Sequence, residues 1–276
     1  MSSLFPIAII SAVVIVLLLK IYFGNNRAKR EPLPTNVVRL HQFNACRPLP
    51  SCSPFVMKLE TYLRMAKIKY CNDFSMTFGK RKGKIPWIEL NGEEIEDTNF
   101  IMDHLNEFFQ VDLDKDLSDE DRAKAHALKR MMEENTRWAS ITNVRFQNSA
   151  HISHTLKAAN LPSYLYLIFR YVLAGKVHKD MKKHGIGRHS TEEIQSIAIG
   201  DLKAVSAVLG HKKYMFGDQP STIDAAMFGI ISNIIYGNPP ESSLTLYVKD
   251  YLPNLNSYVE RIKSNFWPDW EQRCVH

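Results

Sequence analysis

Cys52 and Ser53 stand directly before Pro54, at the head of a run from Phe55 to Ala66 in which Val56, Leu59, Leu63 and Ala66 recur at helical spacing. At a helix N-terminus the unpaired backbone N–H groups and the dipole favour a thiolate, the nucleophilic form of a thiol. Asp97-Thr98 opens a second apolar-periodic run, carrying Ile101, Met102, Leu105, Phe108 and Phe109. A hydroxyl and free N–H groups at a helix start suit a carboxylate, and the neighbouring acid suits an ammonium group. Plain capping by Thr98 would use the same geometry. Pro86 opens a strand candidate, where its nitrogen cannot join a ladder.

Cysteine and histidine also raise the question of a soft metal ion. Cys46 and Cys52 share a loop, Cys71 falls on a neighbouring strand, and His151 and His154 lie three apart. His178, His184 and His189 follow along a basic stretch. None of these sets has a recognised ligand spacing, and no metal is expected. There is no C-x-x-C pair, and four cysteines in 276 residues are too few for a disulfide scaffold, so a reduced compartment is the default.

The elements that must position these groups form two sets. Val37 to Phe43, Ile68 to Phe74, Lys84 to Leu90 and Glu93 to Glu96 read as strands, the last two joined by an Asn91-Gly92 hairpin. With the two helices the order is β-α-β-β-β-α. From Ser118, an N-cap with Asp121 in the first turn, the pattern is helical to the end. Ser190 with Glu193 has capping-box spacing, and so does Ser221 with Asp224 after Gly217-Asp218-Gln219-Pro220. Leu161 to Ala174, with Tyr164, Tyr166, Phe169 and Tyr171, is expected to be buried. Lys176 to Arg188 is expected to be a solvated helix end and loop, with contact to anionic lipid as the alternative. The expected divisions are an α/β domain over 37–112 and an all-α domain over 118–272, joined near Val111 to Leu117.

A hydrophobic fraction of 45% with 23% charged residues excludes wholesale disorder. The formal net charge is +6, but Lys20, Arg27, Lys29 and Arg30 lie in a first thirty residues that hold no acid, and the remainder balances at +2. A nucleic-acid-binding face is therefore not indicated. Leu4 to Leu19 is uncharged, and with Ile21 to Phe23 it gives about 20 residues, enough to cross a bilayer. The segment lacks the basic n-region and cleavage site of a signal peptide, and the polar face of an amphipathic core helix. Residues 4–23 are thus expected to be a transmembrane anchor contacting the lipid bilayer. Residues 24–36 form a polar neck, and the basic flank puts the bulk of the chain in the cytosol.

The β-α-β-β-β-α unit followed by helices, with Ile85-Pro86-Trp87, Asp97-Thr98 and the Ser221–Asp224 box, resembles the glutathione transferase superfamily. That resemblance implies a thioredoxin-like domain followed by a helical C-terminal domain. It also implies a cis bond before Pro86 that presents the Ile85 backbone to glutathione, a γ-glutamyl grip by Asp97 and Thr98, and Ser53 or Cys52 as the catalytic group. Ser53 to Tyr70, Gly79 to Leu105 and His184 to Ile194 are similar to the failed axon connections and metaxin-like branch. Within that branch, the anchor makes the chain most similar to cadmium-inducible lysosomal membrane proteins. This implies glutathione as co-substrate, a homodimer or a partner of the same fold, a lysosomal membrane, and a role in cadmium and stress detoxification.

Two departures from the superfamily pattern favour a second reading. The Asn44 to Pro54 loop is long, with Arg47-Pro48-Leu49-Pro50 at its core, and His41-Gln42-Phe43 stands where many members carry a tyrosine. In that reading the protein is a non-catalytic adaptor, with the Phe55-to-Leu63 helix and the helical domain as partner surfaces.

Overall fold

A computed structural model describes residues 31–43, 45–75, 77–159 and 174–274. The expected anchor at 4–23, the first part of the neck and the aromatic stretch at 161–173 lie outside the described residues. Among the described residues no helix is long and apolar enough to cross a membrane.

The chain divides into two compact units that do not follow its order. The first takes the residues up to Phe43 and Lys69–Ile101, and the second takes Asn44–Ile68 and Met102–His276.

The first unit is a four-stranded sheet: β1 (Val38–His41), β2 (Tyr70–Asp73), β3 (Trp87–Leu90) and β4 (Glu93–Glu96), in spatial order β2-β1-β3-β4. β1 runs parallel to β2 and antiparallel to β3, and β3 pairs antiparallel with β4. Asn91 and Gly92, at φ 51° and 88°, turn that hairpin, as a two-residue loop of this kind requires. β3 begins at Trp87, later than the sequence pattern suggests, because Pro86 has no N–H to give the ladder. Val38, Leu40, Trp87, Ile88 and Leu90 form the core of the sheet.

The second unit contains α1 (Pro54–Met65) and most of α2 (Thr98–Phe109), which starts in the first unit. α3 (Asp119–Arg130) runs through π-helical turns at Met131–Thr136 and Trp138–Thr142 into α4 (Asn143–Phe146). Then come α5 (Ser149–Ala158), α6 (Ala174–His184), α7 (Thr191–Leu209), α8 (Thr222–Ile235), α9 (Ser243–Tyr251), α10 (Pro253–Phe266) and α11 (Trp270–Arg273). Ile223 to Ile235 are all buried, so α8 is the hub, as a helix that is apolar all round must be.

Two expectations about faces fail. Phe108 is exposed, stacked on His104 with Phe109 edge-on, because of the apolar residues of α2 only Ile101, Met102 and Leu105 reach the interior. α1 was expected to be amphipathic, yet it also buries Lys58, Glu60, Thr61 and Tyr62. Each of those polar groups is paired inside the helical unit: Lys58 with Glu133 at 2.6 Å, Glu60 with Arg273, Thr61 with the Trp267 indole at 3.1 Å, and Tyr62 with Asn106 at 2.6 Å. A helix covered on these sides is not an adaptor surface. The Phe55-to-Leu63 partner face is therefore withdrawn.

Candidate functional site

The expected glutathione-binding residues all lie in the first unit. The Ile85–Pro86 bond is cis. Asp97 follows β4 directly and sits at φ 79°, a left-handed conformation that a non-glycine residue rarely takes. Its Oδ1 accepts the Asn99 N–H at 3.0 Å, so Asp97, rather than Thr98, caps α2. Thr98 is buried as the first helical residue. The Asp97 carboxylate stays 39% exposed, with Lys82 Nζ at 3.7 Å, and can still take a cationic ligand group.

Two neighbours of this segment escaped the sequence reading. Glu96 is buried and accepts the backbone N–H groups of Arg81 and Lys82 at 2.7 and 2.6 Å, fixing the 79–84 loop beside Asp97. Burial raises its pKa, but those two bonds and the Arg81 and Lys82 charges outweigh burial and leave it low. At the same end of the sheet, where a tyrosine is missing, His41 is buried and stacks on Trp87 at 3.6 Å, and Trp87 is in register with Glu96. Its Nδ1 lies 3.1 Å from Asp73 and its Nε2 3.4 Å from Glu89. Burial pushes the Asp73 carboxyl up, but hydrogen bonds from His41 and Ser75 hold it well below the usual range.

Cys52 and Ser53 belong to the second unit. Ser53 is the N-cap of α1, and its Oγ accepts the Val56 N–H at 3.4 Å. Cys52, half-buried, donates its N–H to the Cys46 sulfur at 3.0 Å, and its carbonyl accepts from Arg145 Nη1 at 2.6 Å. A hydrogen bond from the Cys46 thiol lowers the Cys52 pKa, against burial, and the Arg145 charge lowers it further. Cys46 shifts upward, through the same bond and its burial. Arg145 gave no sequence signal, because one arginine in a helical stretch looks like a solvated one.

The Asn44 to Pro54 loop packs into the helical unit, with Leu49, Pro50 and Ser51 buried and the Arg47 N–H bonded to the Ala158 carbonyl at 3.0 Å. Far along the chain, Ser221 and Asp224 form the capping box of α8. The Asp224 carboxylate also collects the Met215 N–H and the Tyr258 hydroxyl, each at 2.8 Å. This box is architectural. Among the described residues no cluster of three His, Cys, Asp or Glu side chains is arranged to hold a metal ion.

A sheet of this order with a cis-proline strand, followed by a helical unit capped through Ser221 and Asp224, is a glutathione S-transferase fold. The sequence comparisons agree: residues 54–150 match the glutathione S-transferase N-terminal domain and residues 198–262 its C-terminal domain. The solved glutathione transferase GSTFuA3 of Phanerochaete chrysosporium superposes with a TM-score of 0.59 over 84% of this chain and 98% of its own, at 13% identity. The chain is therefore built of a thioredoxin-like glutathione transferase N-terminal domain and a helical C-terminal domain.

Within that class it is similar to failed axon connections and to metaxins. Failed axon connections of Drosophila melanogaster is 35% identical over 252 residues, covering 87% of this chain and 60% of that protein. The chain thus spans about three fifths of that relative's length. Isoprene-epoxide–glutathione S-transferase of a Rhodococcus strain is 28% identical, over 79% of this chain and 94% of its own. Human Metaxin-2 is 23% identical over 90% and 95%. The N-terminal match begins at residue 54. Ile85, Pro86, Asp97 and Thr98 fall inside it, and Cys46, Cys52 and Ser53 lie ahead of it.

Proposed function

We propose that the chain is a glutathione-binding protein held at an intracellular membrane by residues 4–23, with its folded part in the cytosol. Ile85 and Pro86 present backbone to the tripeptide, and Asp97 with Thr98 receives its γ-glutamyl end. The observation that carries this reading is Asp97, a non-glycine residue kept at φ 79° at the head of α2 with its carboxylate open to solvent. Strain of that kind is retained where a ligand uses it. Cys52, whose pKa is lowered, is a candidate for activating a thiol, and so is Ser53, whose Oγ accepts in the cap and keeps its O–H to donate. The substrates in this reading are thiol conjugates or electrophiles of metal and oxidative stress. Self-association, or pairing with a protein of the same fold, accompanies it. The cadmium response and the lysosomal membrane rest on the family resemblance alone.

The second reading is the adaptor, favoured by the likeness to Metaxin-2. Calorimetry on the full 276-residue chain in detergent separates the two. Glutathione should bind, and Asp97→Ala should weaken it by roughly tenfold, the loss of one charge-assisted hydrogen bond. No heat at millimolar glutathione from folded protein discards the glutathione reading and leaves the adaptor. Carbonate extraction of membranes tests the anchor, and fractionation against lysosomal markers tests the organelle.

A further inference from the structure

Cys46 and Cys52 flank the turn from Arg47 to Ser51, and their side chains meet. The Cys52 N–H reaches the Cys46 sulfur at 3.0 Å, which brings that sulfur against the Cys52 residue. Both are reduced in this structure. The turn is held from both ends, by the Arg47 bond to Ala158 and by Arg145 on the Cys52 carbonyl, so the sulfurs are kept together. Cys46 is buried and Cys52 is half-buried as a residue.

The guanidinium behind them is unusual. Arg145 is buried, and its hydrogen bonds go to neutral acceptors: Asn233 Oδ1 at 2.8 Å, the Asn233 carbonyl at 3.2 Å, Asn238 Oδ1 at 3.2 Å and the Cys52 carbonyl. Among the described residues no carboxylate is in ion-pair range of it. A buried cation without a counter-ion is costly. Of the groups around it that can carry a negative charge, the Cys52 and Cys46 sulfurs are the ones whose ionisation acts on Arg145. Burial lowers the pKa of Arg145 and those sulfurs oppose the shift, and with Arg145 bonded to the Cys52 carbonyl a thiolate at Cys52 would supply the missing counter-charge.

We propose that Cys46 and Cys52 are a reversible dithiol–disulfide couple that responds to hydroperoxides, with Cys52 attacking, Cys46 resolving and Arg145 positioning the thiolate. The Cys52 thiolate attacks the distal peroxide oxygen. The O–O bond breaks, the departing oxygen leaves as alcohol or water after taking a proton from solvent, and Cys52 becomes a sulfenic acid. The Cys46 sulfur then attacks the Cys52 sulfur. The S–S bond forms, the S–O bond breaks, and hydroxide leaves with the Cys46 proton as water. The peroxide gains two electrons and the thiol pair loses two. Thiol–disulfide exchange with two molecules of a reduced thiol such as glutathione reverses the change. The couple shares Cys52 with the proposed glutathione chemistry but lies wholly within the helical unit, and it does not require glutathione to bind.

The test is peroxide titration of the reduced 276-residue chain in detergent, followed by alkylation and tryptic mapping. Because Arg47 precedes Pro48, trypsin leaves both cysteines on the peptide from Leu40 to Lys58, and linkage makes that peptide two hydrogen masses lighter and unable to be alkylated. This change is expected while Cys71 and Cys274 remain alkylated, and dithiothreitol should reverse it. Cys46→Ser should stop at a sulfenic acid on Cys52 that a 1,3-dione traps, and Cys52→Ser should abolish the response. Arg145→Lys, checked for folding by circular dichroism, should slow oxidation severalfold, because it weakens the fork that holds the Cys52 carbonyl and the charge beside the thiolate. Asp97→Ala should leave the linkage intact while weakening glutathione, so the two readings fail separately. The proposal is overturned if both thiols remain alkylated at a peroxide dose that oxidises Cys71. It is equally overturned if Cys46 reacts as fast in Cys52→Ser as in the parent.

Discussion

Gly229 lies where α8 crosses the first turn of α1, and replacing it with alanine probes how closely the two helices approach. A methyl group there would sit 2.9 Å from the Lys58 nitrogen and 3.2 Å from the Lys58 Cα, and closer still to the Pro54 carbonyl oxygen. Carbon contacts normally settle at about 3.5–4.0 Å. The obstructing atoms are backbone, so no side chain can rotate away and the helices must move apart by roughly half an ångström or more. Overpacking of this kind costs up to about 3 kcal/mol. Alanine returns about 1 kcal/mol of helix propensity over glycine, which leaves a net loss of about 2 kcal/mol. For a chain of this size that lowers Tm by roughly 4–8 °C in a thermal melt followed by circular dichroism. On the exposed run of α7, a methyl group added at Gly200 would meet nothing within 4 Å, so Gly200→Ala should raise stability by up to about 1 kcal/mol. A Gly229→Ala chain as stable as the parent, with Gly200→Ala behaving as expected, would refute the close crossing and the anchoring of α1 that rests on it.

Asp224→Ala removes an acceptor for two backbone N–H groups and two hydroxyls, and should cost about 3–4 kcal/mol, against about 1 kcal/mol for Ser221→Ala, both read from thermal unfolding. Asp73 has a folded pKa below its unfolded value of about 3.9, so its contribution is complete above that pH and is lost as pH falls toward the folded value. Acid titration of Asp73→Asn should therefore show a less stable protein at neutral pH and a shallower loss in acid. Gly237→Ala places a methyl against Arg145 Nη2, and the displaced guanidinium should raise the Cys52 pKa and slow its alkylation at pH 7 severalfold, measured by timed thiol labelling.

Strands, hairpin, helix starts and the two capping boxes were legible because each is local: β-branched runs, Asn91-Gly92, and Ser three residues ahead of an acid. What was not legible depends on residues far apart in sequence. The burial of Lys58 and Glu60 in α1 was invisible because their partners, Glu133 and Arg273, stand far down the chain. Arg145 was missed for the same reason, since its meaning comes from Cys52, Asn233 and Asn238. Asp97 was read correctly as a helix-start residue, but the capping role was given to Thr98. A left-handed φ at a non-glycine position leaves no mark in composition, and the register of the cap follows from it.

Because α1 belongs to the helical unit while the strands on either side of it do not, the chain leaves and re-enters that unit before the unit is complete. During synthesis α1 emerges well ahead of α8, the helix that covers it. At about 5–20 residues per second the interval is on the order of ten seconds. Through that time the apolar side of α1, with Val56, Leu59 and Leu63, lacks the helix that buries it. Truncations ending before Ile235 should therefore be insoluble, whatever the quality of the sheet they retain.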